Sequence, residues 1–104
     1  MDEIFKALAD RNRRAMLDKL FEEPGLTLSE LIENVDMVRQ SASRHVSILE
    51  NAGLVVTHRS GREKLHYLNP VPLLEVSGRW LDKFSETRAS TLLALKRALE
   101  EQEE

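Results

Sequence analysis

The chain has no cysteine. Disulfides, thiolate metal sites and cysteine nucleophiles are therefore excluded, and a reducing, cytoplasmic setting is the natural expectation. No apolar run approaches the eighteen or more residues of a membrane span, and the opening MDEIFKALAD is acidic where a signal peptide would be basic and then apolar. Catalytic constellations are missing too. There is no glycine-rich phosphate loop, no nucleophile beside a base and no carboxylate pair in unusual surroundings, so an enzyme is not expected. Histidine occurs only as His45, His58 and His66, with none in Leu73–Glu101.

What is present is an ordinary globular composition: 104 residues, 41% hydrophobic and 32% charged, enough for one domain with a modest core. The net charge of −3 conceals a pattern. Residues 1–36 carry five cations and nine anions, and residues 70–104 carry five and seven. Between them, residues 37–69 carry Arg39, Arg44, Arg59, Arg62 and Lys64 against only Glu50 and Glu63. A polyanion meets the local field, not the total charge, and this middle block is basic.

That block opens with Val38–Leu54, which the spacing predicts to be a helix with two faces. Val38, Ala42, Val46 and Leu49 recur every three or four residues as an apolar stripe. Arg39, Gln40, Ser43, Arg44 and Ser47 form a polar, cationic face, suited to a nucleic-acid groove or simply to solvent. Gly53 is suited to the left-handed C-terminal cap. Upstream, a short helix over about 2–9 presents Ile4, Phe5 and Leu8. Asp10 can cap a second helix, Arg11–Glu23, with apolar Ala15, Met16, Leu17, Leu20 and Phe21, which Pro24-Gly25 stops. Thr27-Leu28-Ser29-Glu30 is a capping box, with Leu26 and Leu31 placed for a hydrophobic staple, and it starts a third helix over about Leu28–Asn34. Two short helices joined by a few residues, the second with the basic face, match a helix-turn-helix over about 27–53.

Leu54–Arg59 and Lys64–Leu68 are strand-like and flank a Ser60–Glu63 turn, predicting a β-hairpin over about 54–69 with cations at its tip. A Gly61-Arg62 loop would pair His58 with Leu65 and Thr57 with His66, sending the two histidines to opposite faces. Zinc needs three or four converging ligands, so a metal site is not expected, nor any cofactor. From Leu73 to Glu101 there is no proline and only Gly78, and Leu73, Val76, Trp80, Phe84, Thr91, Leu92, Leu95 and Leu99 form an apolar stripe. One helix over that span would run about 43 Å, more than a core of this size covers, and the simplest partner is a second copy of the chain. The fold class is thus mainly α with a small β-hairpin, about five helices, the last of them long.

FKALAD followed by Arg13-Arg14, LSEL, SRHVSILENAGLV and RSGREKLHYLN together resemble the ArsR/SmtB family of bacterial winged-helix repressors, over nearly the whole chain. The resemblance implies a single winged helix-turn-helix domain that binds double-stranded operator DNA. It also implies a homodimer packed through the helices over about 2–9 and 73–101. Ile4, Phe5, Leu8, Trp80, Phe84, Leu92 and Leu95 would then lie at the dimer interface. The chain departs from the family at Asp10-Arg11, where Asp-Pro is frequent, and at Val38, where a Ser or Thr cap is frequent, unless Asp36 caps an earlier start. It also lacks the cysteines, or the Asp, His and Glu ligands on the last helix, of metal-responsive members.

Within that frame Arg39 and Gln40, in the first turn of the recognition helix, reach base edges or only phosphates. Ser41, Ser43 and Ser47 allow close approach to a DNA backbone or are simply solvated, and Arg44 touches phosphate or base. His45 borders the apolar stripe and is assigned a supporting role. Arg62 at the wing tip, with Arg59 and Lys64, suits a minor groove or phosphates, or is free surface charge. Trp80 and Phe84 belong to a core or dimer interface, or to a ligand pocket. Three ways of relieving repression stay open: a small-molecule effector near Trp80, a competing partner, or none. The alternative class is a winged-helix interaction module that recruits a partner through its last helix.

Overall fold

The computed structural model describes residues 1–81 and 86–102. Among them are six helices and one hairpin in the order α1 (Asp2–Leu8), α2 (Arg11–Glu22), α3 (Leu28–Leu31), α4 (Arg39–Asn51), β1 (Val55–Ser60), β2 (Glu63–Leu68), α5 (Val71–Trp80) and α6 (Glu86–Gln102). The chain divides into two compact units, Met1–Leu73 and Leu74–Glu104, and the helix-turn-helix and hairpin both lie in the first.

Local chemistry starts α2 and α3 where the sequence predicts. Asp10 accepts from the amides of Asn12 at 2.8 Å and Arg13 at 3.1 Å, capping α2. Thr27 and Glu30 form the reciprocal capping box of α3: Glu30 N–H donates to Thr27 Oγ1 at 3.2 Å, and Thr27 N–H donates to Glu30 Oε1 at 3.0 Å. α3 is a single turn, shorter than expected, and Lys19 of α2 donates to the carbonyl of Glu30 at 2.7 Å just before its end. α4 starts at Arg39, not at Val38. Val38 is the cap residue, without a side-chain cap bond, so Asp36 does not substitute for the missing Ser or Thr.

Ile4 and Ala7 of α1, Met16, Leu17 and Leu20 of α2, Leu31 of α3, and Ala42, Val46 and Leu49 of α4 form the core, with Leu54 and Val55 at the entry to the hairpin. Leu20, Leu31, Leu49 and Leu54 are enclosed almost completely, and truncating any of them to alanine would cost about 2–5 kcal/mol. Three expected stripe residues lie outside. Val38 is 67% exposed because it precedes the first helical turn, and Phe21 is 75% exposed at the edge of the α2 stripe, where Ala15 is exposed too. Ile4 shows the reverse: it is spent in the core, so of the three α1 residues expected at a dimer interface, Phe5 and Leu8 keep accessible surface.

The strands pair antiparallel, with Thr57 opposite His66 and His58 opposite Leu65, around a Gly61-Arg62 turn. Leu26 adds a bridge to the outer side of β2: His66 N–H donates to Leu26 C=O at 2.8 Å, and Gly25 N–H donates to His66 C=O at 2.9 Å. The chain before α3 thus extends the hairpin and seats it against the helices.

Beyond the hairpin the structure differs from a single helix over Leu73–Glu101. α5 starts at Val71, since Pro72 in a first helical turn gives up an amide that has no intrahelical partner there. It ends at Trp80, with Gly78, a weak helix former, in its last turn. α6 covers Glu86–Gln102. Phe84, expected at the dimer interface, lies outside the described residues. Trp80, Leu92 and Leu95 are 46%, 58% and 56% exposed. No helix among the described residues is long and apolar enough to cross a membrane.

Candidate nucleic-acid interface

α4 turns its apolar side, Ala42, Val46 and Leu49, into the core, which forces its polar side outward. The hairpin rises beside it, because Leu54 N–H donates to Leu49 C=O at the end of α4 and Asn69 N–H donates back to Leu54 C=O at 2.8 Å. Asn69 adds a side-chain bond to the carbonyl of Gly53, also 2.8 Å. Gly53, at φ +76°, supplies the left-handed step that turns the chain from helix to strand.

Between the start of α3, α4 and the hairpin lies an open groove of about 620 Å³. It brings together six of the nine expected DNA-contacting residues: Arg39, Ser43 and Ser47 from successive turns of α4, and Arg59, Arg62 and Lys64 from the wing. Its lining has four cations, these three and Arg39, against two acids, Glu50 and Glu63. Gln40, Ser41 and Arg44 are exposed but do not line it. At 3.6 residues per turn, Gln40 and Arg44 lie on the outermost surface of α4 and Ser41 on the flank away from the wing.

Two contacts organise the groove. Arg39 Nη1 donates to Ser29 Oγ at 2.6 Å, bracing the first side chain of α4 against α3. Lys64 Nζ pairs with Glu50 Oε1 at 3.4 Å, linking wing to helix. Both pairs are exposed or half-exposed, so each stabilises the fold little, and their value is geometric. Neither Ser29 nor Glu50 stands out in the sequence as a site residue. The signal for Ser29 is its place two residues after the cap Thr27, in the first turn of α3.

The histidines separate as the register requires. His58 is exposed, whereas His66 is 3% exposed and its Nδ1 lies 2.8 Å from the carbonyl of Leu26. A carbonyl only accepts, so Nδ1 carries the proton. His45 is half-buried, with Nδ1 3.2 Å from Arg13 Nη1, in agreement with a supporting role. No three His, Asp or Glu side chains converge as a metal site among the described residues.

The carboxylates that hold this frame are shifted by it. Asp10 is held below its ordinary pKa first by the amide of Arg13, then by that of Asn12 and the nearby charge of Arg13. Glu30 is held below its ordinary value by the amide and then the hydroxyl of Thr27, with Lys19 adding a smaller attraction.

Comparison with known proteins agrees with this geometry. A helix-turn-helix domain family matches residues 8–58. The HTH-type transcriptional regulator YuzN of Bacillus subtilis is 39% identical, over 78% of this chain and 95% of its own length. The transcriptional repressor SdpR of the same organism is 32% identical, over 81% of this chain and 91% of its own. A crystal structure of an ArsR family transcriptional regulator superposes with a TM-score of 0.63 at 33% identity, covering 96% of this chain and 89% of that one.

Proposed function

The chain belongs to the ArsR family of winged helix-turn-helix transcriptional regulators, DNA-binding proteins and not enzymes, and from that premise we propose that it is a homodimeric, sequence-specific repressor, in the simplest case of its own promoter, that does not respond to metal. The observation that carries DNA reading is the groove, in which Arg39, Ser43 and Ser47 of one helix face Arg59, Arg62 and Lys64 of the wing. A helix with forked donors in its first turn fits the major groove, and a cationic hairpin tip fits the neighbouring phosphates or minor groove.

Repression rests on similarity to a relative that is itself a transcriptional repressor. Dimerisation is supported by exposed leucines along α6, where Leu92, Leu95 and Leu99 are each more than half exposed. Two recognition helices would enter successive major grooves of a palindromic operator, roughly 34–36 Å apart. Metal independence is supported by the absence of cysteine, by the lack of histidine in α5 and α6, and by His66 being buried and bonded to a backbone carbonyl. The cytoplasm is the compartment in which such a protein meets DNA.

The test is binding to the protein's own promoter region against a random duplex, with salt varied. Preference for the promoter and a steep negative log–log salt slope are expected; equal affinity for both, or a slope near zero, overturns specific operator binding. A mass measurement in solution at micromolar concentration should give twice the chain mass.

A further inference from the structure

Arg13 lies in α2, yet its guanidinium joins two other helices. Nε donates to the carbonyl of Ala7 at 2.8 Å and Nη2 to that of Lys6 at 2.9 Å, both in the last turn of α1. Nη1 meets Nδ1 of His45, in the middle of α4, at 3.2 Å. A guanidinium has donors only, so Nδ1 of His45 accepts and the proton of the neutral imidazole sits on Nε2. One planar fork therefore fixes the end of α1 and the orientation of α4 together.

We infer that Arg13 is a positioning residue for DNA reading: by holding His45 it sets the angle of α4 against α1, an inference that rests on the DNA-binding reading above. The polar contacts of Arg39 and Glu50 tie α4 to α3 and to the wing; on its α1 side α4 is otherwise seated by the apolar side chains Ala42, Val46 and Leu49, and such packing is non-directional. Small residues such as Ala42 restrain rotation about the helix axis weakly. A hydrogen bond from a rigid, planar donor is directional, and supplies what the stripe does not. The demand is real, since a side chain that reads a base edge must be held to within about 0.5 Å and 10–20°. α1 is also one of the helices proposed to meet the partner subunit. An error in the α1–α4 angle is then repeated in both halves of the dimer and alters the half-site spacing it accepts.

The experiment uses the full chain and three probes: a duplex that the wild-type protein selects from a random pool, the same duplex with its half-site spacing changed by one base pair, and a scrambled duplex. Arg13→Lys keeps the charge and loses the fork. His45→Leu removes the acceptor, whereas His45→Asn keeps one near the place of Nδ1. Thermal unfolding fixes an assay temperature at which each variant is folded. Arg13→Lys and His45→Leu should each lose about five- to tenfold on the selected duplex, with the double variant no worse than either. They should also discriminate less against the altered spacing, with scrambled-duplex binding unchanged, and His45→Asn should behave as wild type. Equal losses on selected and scrambled duplex, multiplicative losses in the double variant, or no loss in any variant overturns the positioning role. If Arg13→Lys does not fold, the Leu and Asn variants of His45 decide alone. A wild-type protein that selects no duplex overturns the DNA-reading proposal, and this inference with it.

Discussion

Arg39 Nη1 donates to Ser29 Oγ at 2.6 Å, so the first turn of the recognition helix is braced by the first turn of the helix before it. Both residues are exposed, so the bond is made before any DNA arrives and costs nothing to the core. A braced guanidinium loses less side-chain freedom on meeting a base than a free one. Arg39→Ala should therefore reduce discrimination between operator and mismatched sites by about 1–3 kcal/mol, the usual worth of a bidentate contact. Ser29→Ala should act in the same direction and by less. Competition binding against a set of single-base operator variants measures both, and discrimination unchanged in both variants refutes the base-reading role.

Arg62 occupies the hairpin turn and also faces the groove, and there the expected behaviour differs. A wing-tip cation that meets phosphate carries no sequence information. Arg62→Ala should weaken binding about equally on operator and random duplex, and reduce the salt slope by about 1. A selective loss on the operator would move Arg62 to base readout.

Much of this frame is legible in the residues because its causes act over a few positions. Asp10 caps the amides two and three residues on, Thr27 and Glu30 satisfy each other, and the Gly61-Arg62 turn sets the register that separates His58 from His66. What is not legible comes from distance. His66 reads as one more wing histidine, but its partner, the carbonyl of Leu26, is 40 positions away, and that contact buries it. Arg13 reads as half of an Arg-Arg pair, and its joint role appears only when His45, 32 positions later, folds against it. Val38 fits the period of the apolar stripe, but period alone does not show that the helix starts one residue later and leaves it in solvent.

The two caps predict an acid sensitivity of known sign. Asp10 and Glu30 have lowered pKa values in the folded chain, through backbone amides that the unfolded chain does not offer. As pH falls, the unfolded chain binds these protons first. The stabilisation is therefore complete above the ordinary carboxylate range and is lost progressively as pH drops from roughly 4 through the folded values. Thermal midpoints should decline over that window, and the double variant Asp10→Asn, Glu30→Gln should decline less steeply. Identical profiles for wild type and double variant would show that other carboxylates govern acid unfolding.

Lys64 and Glu50 supply the last test, since their 3.4 Å pair spans the groove that DNA is proposed to fill. The side chains are 45% and 30% exposed, so water screens the pair and its loss should change stability by less than about 1 kcal/mol. Its effect on a polyanion is larger. Glu50 is one of only two acids lining the groove, and it neutralises a cation that phosphate would otherwise engage. Glu50→Gln should free Lys64, raise affinity for random duplex more than for operator, and steepen the log–log salt slope by up to about 0.9, the increment for one additional phosphate contact. The wild-type pair would then act to suppress indiscriminate binding, and specificity measured as the operator-to-random ratio should fall even as both affinities rise. A variant that binds random duplex no better than wild type, with an unchanged slope, would show that Lys64 already leaves Glu50 for phosphate at no cost.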